Sequence, residues 1–193
     1  VLHALLYSLP GMPCLYYGDE LGMGDWPGLR DRDPNRTPMA WTPARNGGFS
    51  TAPDPLLVLP PITAPGYDYR VVNVEVQKQL PGSLLNWHRR MLTCRRLLPA
   101  LRHGNFELLK CAHPGVISYV RCDGSMTVLV AANLSAAGAS LHLDLSRWSG
   151  VRTREVFWGC EYPPASEHWF VYLPAHGFSW WLIGEVEDVN AEQ

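Results

Sequence analysis

The chain has 193 residues, of which 47% are hydrophobic and 18% are charged, and its formal net charge is −2. A chain of this length and apolar content can bury a core and form one or two domains. The balanced charge provides no basic surface for a nucleic acid, and no apolar run approaches the roughly 20 residues that span a bilayer. We therefore expect neither a nucleic-acid partner nor a membrane segment.

The cysteines, histidines and glycines give no sign of a bound metal or cofactor. The five cysteines are widely spaced and form no CxxC pair, and the seven histidines lack ligand spacing, so we predict no metal site. Glycine patterns that bind phosphates or dinucleotides are also absent, and we predict no cofactor. Free thiols are typical of a reducing compartment, which favours a cytoplasmic protein.

The first elements of the chain have the pattern of a helix, a turn and a strand. Residues 1–9 form an amphipathic run that a Pro-Gly pair ends. This run lacks an initiator methionine and the basic segment of a signal peptide, and we expect the chain to begin inside a larger fold. The apolar run Cys14–Tyr17 leads to the acids Asp19 and Glu20, which predicts a strand buried on both faces. Helix, turn and buried strand is the repeating unit of α/β architectures.

A long irregular segment follows, from Leu21 to about Pro81. Glycines and prolines recur through it, and neither the helical nor the strand period holds. Its aromatic and apolar residues argue against disorder, so we expect an ordered loop over a binding face.

The segment 83–102 has apolar residues at helical spacing, which predicts an amphipathic helix. Ser83 is its expected N-cap, and Pro99 is expected to end or kink it. Its arginines are expected on a solvated face: Arg89, Arg90, Arg95 and Arg96.

Seven short runs rich in β-branched and aromatic residues fill the chain after Gly104. The sequence Asp123–Ser125 carries an Asp-Gly hairpin signal. Leu141, Leu143 and Leu145 alternate with polar neighbours, which indicates a strand with one buried face. Such runs predict an antiparallel sandwich of about seven strands. We therefore divide the chain into an α/β part, a β domain and a tail: 1–103, 104–186 and 187–193.

Carboxylates are the remaining candidates for chemistry, because no GxSxG nucleophile elbow is present. Five acids cluster at and after the predicted strand: Asp19, Glu20, Asp25, Asp31 and Asp33. Paired carboxylates suit glycoside chemistry, although an acid-rich loop is as often solvated or capping. The eight tryptophans and eight tyrosines fit either core packing or stacking on sugar rings.

The motifs around this acidic segment resemble the end of the catalytic barrel in the α-amylase superfamily. The resemblance is carried by "LLYSLPGMPCLYYGDELGMGD" followed by "DRDPNRTPMAWTPARNGGFS", and it continues through "YDYRVVNVEVQ", "SLLNWHRRMLTCRRLLPAL", "VLVAANLS" and "HGFSWWLI". Within the superfamily the chain is most similar to the trehalose synthases, which interconvert maltose and trehalose. It departs from their usual sequence at Ala40, where they have Gln, and at Pro34-Asn35, where they have Gly-Val.

The resemblance implies an α/β plus all-β fold: the C-terminal end of a (β/α)8 TIM barrel followed by an antiparallel β-sandwich domain. Residues 1–9 would be the helix before barrel strand eight, Pro13–Glu20 that strand, and 83–102 the last barrel helix. The nucleophilic Asp, the acid/base Glu and a second Asp of the family arise from earlier strands. The resemblance therefore implies that none of the 193 residues is catalytic. It also implies that the remainder of the catalytic barrel is a partner of this chain.

Arg36 and Asp33 are the residues we expect to contact maltose, trehalose or glucose, because an Arg fork can give bidentate hydrogen bonds to sugar hydroxyls. The alternative for both is an ion pair that holds the shape of the loop. Asp19 and Glu20 are expected to support the turn after strand eight rather than to touch substrate.

The resemblance implies a retaining mechanism through a covalent glucosyl-enzyme. Isomerisation would require that the released glucose stay in a closed pocket, and Leu21–Pro81 would be a suitable lid. Two other functions remain open: a fragment of an α-glucosidase or α-amylase-type hydrolase, and a stand-alone carbohydrate-binding module built on the β domain.

Overall fold

The computed structural model describes residues 1–124 and 126–184. The predicted tail, 187–193, lies outside the described residues. No helix within the described ranges is long and apolar enough to cross a membrane.

The chain forms two compact units. One comprises Val1–Pro13 and Met91–Gln193, and the other comprises Cys14–Arg90. The helices are α1 Leu2–Ser8, α2 Val74–Gln79, α3 Leu84–Leu97 and α4 Pro99–His103.

The helix predicted over 83–102 is confirmed as α3 and α4, which are separated at Leu98. The Ser83 hydroxyl accepts the Asn86 N–H at 3.2 Å and so caps α3 as expected. Pro99 opens α4 rather than continuing α3, because a proline has no N–H to donate within a helix.

The β domain contains eight strands within the described residues, all paired antiparallel. They are β1 Asn105–Leu108, β2 Val116–Asp123, β3 Met126–Asn133, β4 Ala139–Leu143, β5 Thr153–Glu155, β6 Glu161–Tyr162, β7 Trp169–Leu173 and β8 Phe178–Ile183. One sheet has the order β1-β2-β3-β8-β5-β6, and β4 and β7 form the other. Each of the seven predicted runs contains one strand. The missed strand, β6, has only two residues and is too short to show a period.

The core of the β domain is formed by side chains from both sheets. Leu141 and Leu143 of β4 and the following Leu145 are fully buried, which confirms their predicted alternation. Trp169 of β7 and Trp181 of β8 meet edge to face, with ring centroids 5.2 Å apart. The two sheets therefore form the predicted antiparallel sandwich.

The Asp-Gly signal lies where the sequence placed it, between β2 and β3. Asp123 pairs with Met126 in the antiparallel ladder. Gly124 has φ +53°, in the left-handed region that glycine adopts without strain.

The strand predicted at Cys14–Tyr17 is not formed. The segment is irregular, and the side chains of Cys14, Tyr16 and Tyr17 are exposed rather than buried. A barrel strand is stabilised by hydrogen bonds to parallel neighbours on both sides. Every strand pair within the described residues is antiparallel and lies after Gly104, so this segment has no parallel neighbour.

Arg95 is buried, and its predicted place on the solvated face of the helix is wrong. Its side chain lies on the same face of α3 as Met91, and only 8% of the residue is exposed. The guanidinium donates to the Tyr7 carbonyl at 2.6 Å and to the Gly11 carbonyl at 2.7 Å. Its partners are distant in sequence, and a helical pattern cannot identify them. Arg89 and Arg96 are exposed, as predicted.

Arg121 of β2 holds the same helix end. The residue is 1% exposed, and its guanidinium donates to the Ser8 carbonyl at 2.7 Å and to the Gly104 carbonyl at 2.9 Å. The last carbonyls of a helix have no partner within it and form the negative end of its dipole, which favours a cation. Burial lowers the pKa of both arginines, since it penalises the charged form.

Tyr119 completes this cluster. The Ser8 hydroxyl donates to the Ala4 carbonyl at 2.7 Å, so the Tyr119 hydroxyl, 2.6 Å away, is the donor to Ser8 Oγ. Burial raises the pKa of Tyr119 to about 12, because the phenolate would be poorly solvated.

We expect the substitution Arg121→Met to lower the free energy of unfolding by about 2–4 kcal/mol, because the buried Ser8 carbonyl and the partly buried Gly104 carbonyl lose their donor. The matched control is Arg147→Met: that exposed arginine pairs with Glu107 at 2.9 Å, and such pairs contribute about 1 kcal/mol or less. Urea unfolding followed by tryptophan fluorescence measures both. Equal losses in the two variants would contradict a structural role for Arg121.

We expect Tyr119 to make stability depend on pH in the alkaline range. Its folded pKa of about 12 lies above the ordinary value of 10.0, so folding favours the protonated phenol. That contribution is complete below about pH 10 and is lost as the pH rises towards 12. The difference in unfolding free energy between the native chain and Tyr119→Phe should therefore shrink across this window. A difference that stays constant with pH would rule the effect out.

Candidate functional site

The segment predicted to be irregular, Leu21 to about Pro81, contains a helix that the sequence analysis missed, α2. Buried amide side chains hold the rest of the segment in a defined shape. Asn46 is 4% exposed, and its amide donates to the Ser50 carbonyl at 3.0 Å and to the Ala52 carbonyl at 2.9 Å. Its φ of +57° lies in the left-handed region that Asn tolerates better than most residues. The Asn46 side chain thus closes the turn that leads from Asn46 to Ala52.

Asn73 and α2 fix the second half of this segment. The side-chain oxygen Oδ1 of Asn73 accepts the Val76 N–H at 2.9 Å and caps α2. The side-chain NH2 group of Asn73 donates to the Tyr69 backbone carbonyl at 2.9 Å. Gln77 of α2 donates to the Leu21 carbonyl at 2.8 Å and accepts the Leu85 N–H at 3.0 Å. These bonds join the start of the segment to the start of α3.

Glu20 supports the turn that follows Tyr17, as the sequence predicted. Its carboxylate accepts the Gly18 N–H at 2.8 Å. Gly18 has φ +93°, and a Cβ at this position would lie 3.0 Å from the sulfur of Met23. A side chain here would therefore be strained and crowded, and the turn requires glycine.

Asp33 and Arg36 lie at the two ends of a short turn. Asp33–Asn35 form one 3₁₀ turn, and the Arg36 N–H donates to the Asp33 carbonyl at 3.0 Å. Both side chains are exposed, and neither forms an ion pair with another described residue. The alternative in which they pair within the loop is therefore not observed, and both charged groups face solvent.

Tyr17 connects the run before Gly18 to this turn. Its hydroxyl donates to the Thr37 carbonyl at 3.0 Å, and its ring lies 4.7 Å from the ring of Tyr16. Partial burial, with a contribution from Tyr16, raises the pKa of Tyr17, while the positive charge of Arg36 opposes this increase.

The side chains of four residues carry chemical groups of the kinds that bind sugars: Tyr16, Tyr17, Asp33 and Arg36. Tyr16 and Tyr17 are 48% and 42% exposed, and aromatic faces stack on the apolar faces of sugar rings. The guanidinium and the carboxylate are donors and acceptors for hydroxyl groups. Among the described residues, no group of three or more His, Cys, Asp or Glu side chains is arranged to hold a metal ion. Composition drew attention to the tyrosines, but sequence reasoning did not select Tyr17, because its partner, Thr37, lies twenty residues away.

Two protein-family models match the chain. Residues 1–104 match the alpha amylase catalytic domain, and residues 106–180 match the maltogenic amylase C-terminal domain.

The curated relatives include several trehalose synthases. The chain is 47% identical over 184 residues to the trehalose synthase/amylase TreS of Mycobacterium tuberculosis, covering 93% of this chain and 31% of that protein. It is 46% identical over 185 residues to the trehalose synthase of Pimelobacter sp., covering 93% and 32%. A probable alpha-glucosidase of Rhizobium meliloti is 31% identical over 163 residues, covering 76% and 28%. The chain thus spans about a third of the length of the curated relatives it matches.

Solved structures with the same fold include the trehalulose synthase MutB, with a TM-score of 0.73 and 22% identity, covering 94% of this chain and 37% of that one. The trehalose-6-phosphate hydrolase TreA of Bacillus licheniformis has a TM-score of 0.73 and 19% identity, covering 95% and 38%. At this level of identity the likeness establishes the fold, the end of a barrel followed by a β-sandwich.

Proposed function

The chain belongs to the α-amylase family, and we propose that it is the C-terminal portion of a trehalose synthase that interconverts maltose and trehalose. The observation that carries this proposal is the identity to trehalose synthases, which is higher and covers more of the chain than the identity to the probable alpha-glucosidase. The α-glucosidase reaction is the second candidate because that relative also matches. The two reactions share a glucosyl-enzyme and differ in what accepts the glucosyl group.

In this proposal the chain supports the chemistry but does not perform it. The three catalytic carboxylates come from parts of the barrel that precede Val1, and the chain alone is inactive. Residues 1–103 complete the barrel, and residues 104–186 form the C-terminal domain. The two family matches, which end and begin near this boundary, support that division. We propose the cytoplasm as its compartment, because five cysteines without a CxxC pair suit a reducing environment.

Asp33 and Arg36 are the proposed sugar-binding residues. Both are exposed, and both lie on a turn that is closed by the bond from the Arg36 N–H to the Asp33 carbonyl. A guanidinium without a carboxylate partner can donate to two adjacent hydroxyls at once. These groups would bind the glucose that is released from maltose and then glucosylated again.

The ordered segment from Leu21 to Pro81 is the proposed lid over the reaction. Isomerisation exceeds hydrolysis only if water is kept from the glucosyl-enzyme while the free glucose reorients. The buried amides of Asn46 and Asn73 give this segment the fixed shape that such a lid needs.

The full-length protein that carries this chain should convert maltose mainly to trehalose, with glucose as a minor product. The purified 193-residue chain should convert neither disaccharide. Product analysis by anion-exchange chromatography measures both. Glucose as the main product would favour the α-glucosidase reaction, and activity of the isolated chain would refute the proposed division of labour.

We expect Arg36→Ala in the full-length protein to raise the KM for maltose by about 10-fold or more, because a charge-assisted hydrogen bond contributes about 1.5–3 kcal/mol. Asp33→Asn should have a smaller effect in the same direction. The control is Arg45→Ala, since Arg45 is exposed but already paired with Asp54 at 2.8 Å. An unchanged KM in Arg36→Ala would exclude Arg36 from substrate binding.

A further inference from the structure

The segment 30–38, which carries Arg36, has few attachments to the rest of its unit. Two of its backbone bonds are internal: Asp33 N–H to the Arg30 carbonyl at 3.2 Å and Arg36 N–H to the Asp33 carbonyl at 3.0 Å. Another joins Trp26 N–H to the Pro34 carbonyl at 3.0 Å. Internal turn bonds fix the shape of this segment, but they do not fix where it lies.

Within the described part of the chain, one side-chain hydrogen bond fastens segment 30–38 to another segment. It is the bond from the Tyr17 hydroxyl to the Thr37 carbonyl, at 3.0 Å. Thr37 is 2% exposed and directly follows Arg36, so the bond fixes the backbone one residue from the guanidinium-bearing position.

Tyr17 is well suited to this task. Its ring contacts Tyr16 at a centroid distance of 4.7 Å, and Glu20 holds the turn that begins at Gly18, the next residue. The phenol is therefore anchored from both sides along the chain. A tyrosine has few rotatable bonds, so little conformational entropy is lost when it makes a fixed hydrogen bond.

We propose that Tyr17 is a positioning residue for substrate: its hydroxyl holds segment 30–38 so that Arg36 presents its guanidinium to the sugar. This inference rests on the proposed function, in which Arg36 binds the sugar. Without the hydroxyl the segment would keep its internal turns and its bond to Trp26 but lose its bond to Tyr17. Arg36 would then lose more conformational entropy each time it bound substrate.

The test is Tyr17→Phe in the full-length protein, which removes the hydroxyl and keeps the ring. We expect the KM for maltose to rise about 5-fold and kcat to change less than about 2-fold, as for a lost binding interaction. Because Tyr17 acts through Arg36, Tyr17→Phe should add little to the KM of Arg36→Ala. If the two substitutions act independently, the fold-increases in KM multiply in the double variant. That result would overturn the proposal.

The matched control is Tyr172→Phe, which removes an exposed tyrosine hydroxyl from β7 and should leave the KM within about 2-fold of the native value, since surface substitutions usually have small effects. A KM in Tyr17→Phe equal to the native one, or equal losses in both tyrosine variants, would also overturn the proposal. Melting temperatures establish that each variant is folded.

A second measurement does not depend on trehalose formation. Trypsin should cleave after Arg32 and Arg36 several-fold faster in Tyr17→Phe than in the native protein, because an unfastened segment opens more often. Cleavage after Arg89, on α3, should keep its native rate. A native protein that forms only glucose from maltose would refute the proposed function, while its KM and the trypsin rates would still decide the role of Tyr17. Unchanged cleavage after Arg36 would refute the positioning role alone.

Discussion

The unit that contains the β-sandwich depends on two buried cations bonded to the carbonyl end of a short helix. A seven-residue helix is marginal alone, since nucleation is unfavourable and its last carbonyls have no partners. Arg95 reaches these carbonyls from α3, and Arg121 reaches them from the central part of β2. Helix α1, the last barrel helix and the sandwich are therefore stabilised together. Loss of either arginine would leave one buried carbonyl unsatisfied, that of Tyr7 or of Ser8, at a cost of about 1–3 kcal/mol.

The unit formed by Cys14–Arg90 is stabilised in a different way. It has little regular structure, and its apolar core is small, centred on Leu21, Val74 and Leu85. In this unit the side-chain amides of Asn and Gln form the hydrogen bonds that neighbouring strands would form in a sheet. Each such side chain has both a donor and an acceptor for nearby backbone groups. Such bonds fix the conformation of a loop without using its charged side chains as hydrogen-bond partners. Asp33 and Arg36 are exposed, as their proposed role in sugar binding requires.

Sequence patterns predicted the elements whose cause is local. Alternation at Leu141 and Leu143 identified β4, the Asp-Gly pair identified the hairpin, and Ser83 identified the start of α3. The errors share a different cause. Arg95 follows the helical period of a buried face, but a guanidinium is normally solvated, and only its partners 84 and 88 residues away explain its burial. The run Cys14–Tyr17 has the composition of a buried strand, yet a strand forms only beside another strand. Tyr17 escaped prediction because its acceptor is a backbone carbonyl, which carries no sequence signal.

The fold by itself does not select the reaction. A trehalulose synthase and a trehalose-6-phosphate hydrolase have this arrangement at about one-fifth sequence identity, so their different products must be decided by residues placed on it. A glucosyl-enzyme can react with water or with a sugar, and the balance depends on how well the second sugar is held and water excluded. Holding the second sugar requires charged groups that are not already paired and whose positions are fixed. An exposed arginine one residue from a buried, hydrogen-bonded backbone position meets both conditions. In the proposed reaction, the bond from Tyr17 to the Thr37 carbonyl would fix the backbone that carries Arg36 and so help to hold the second sugar.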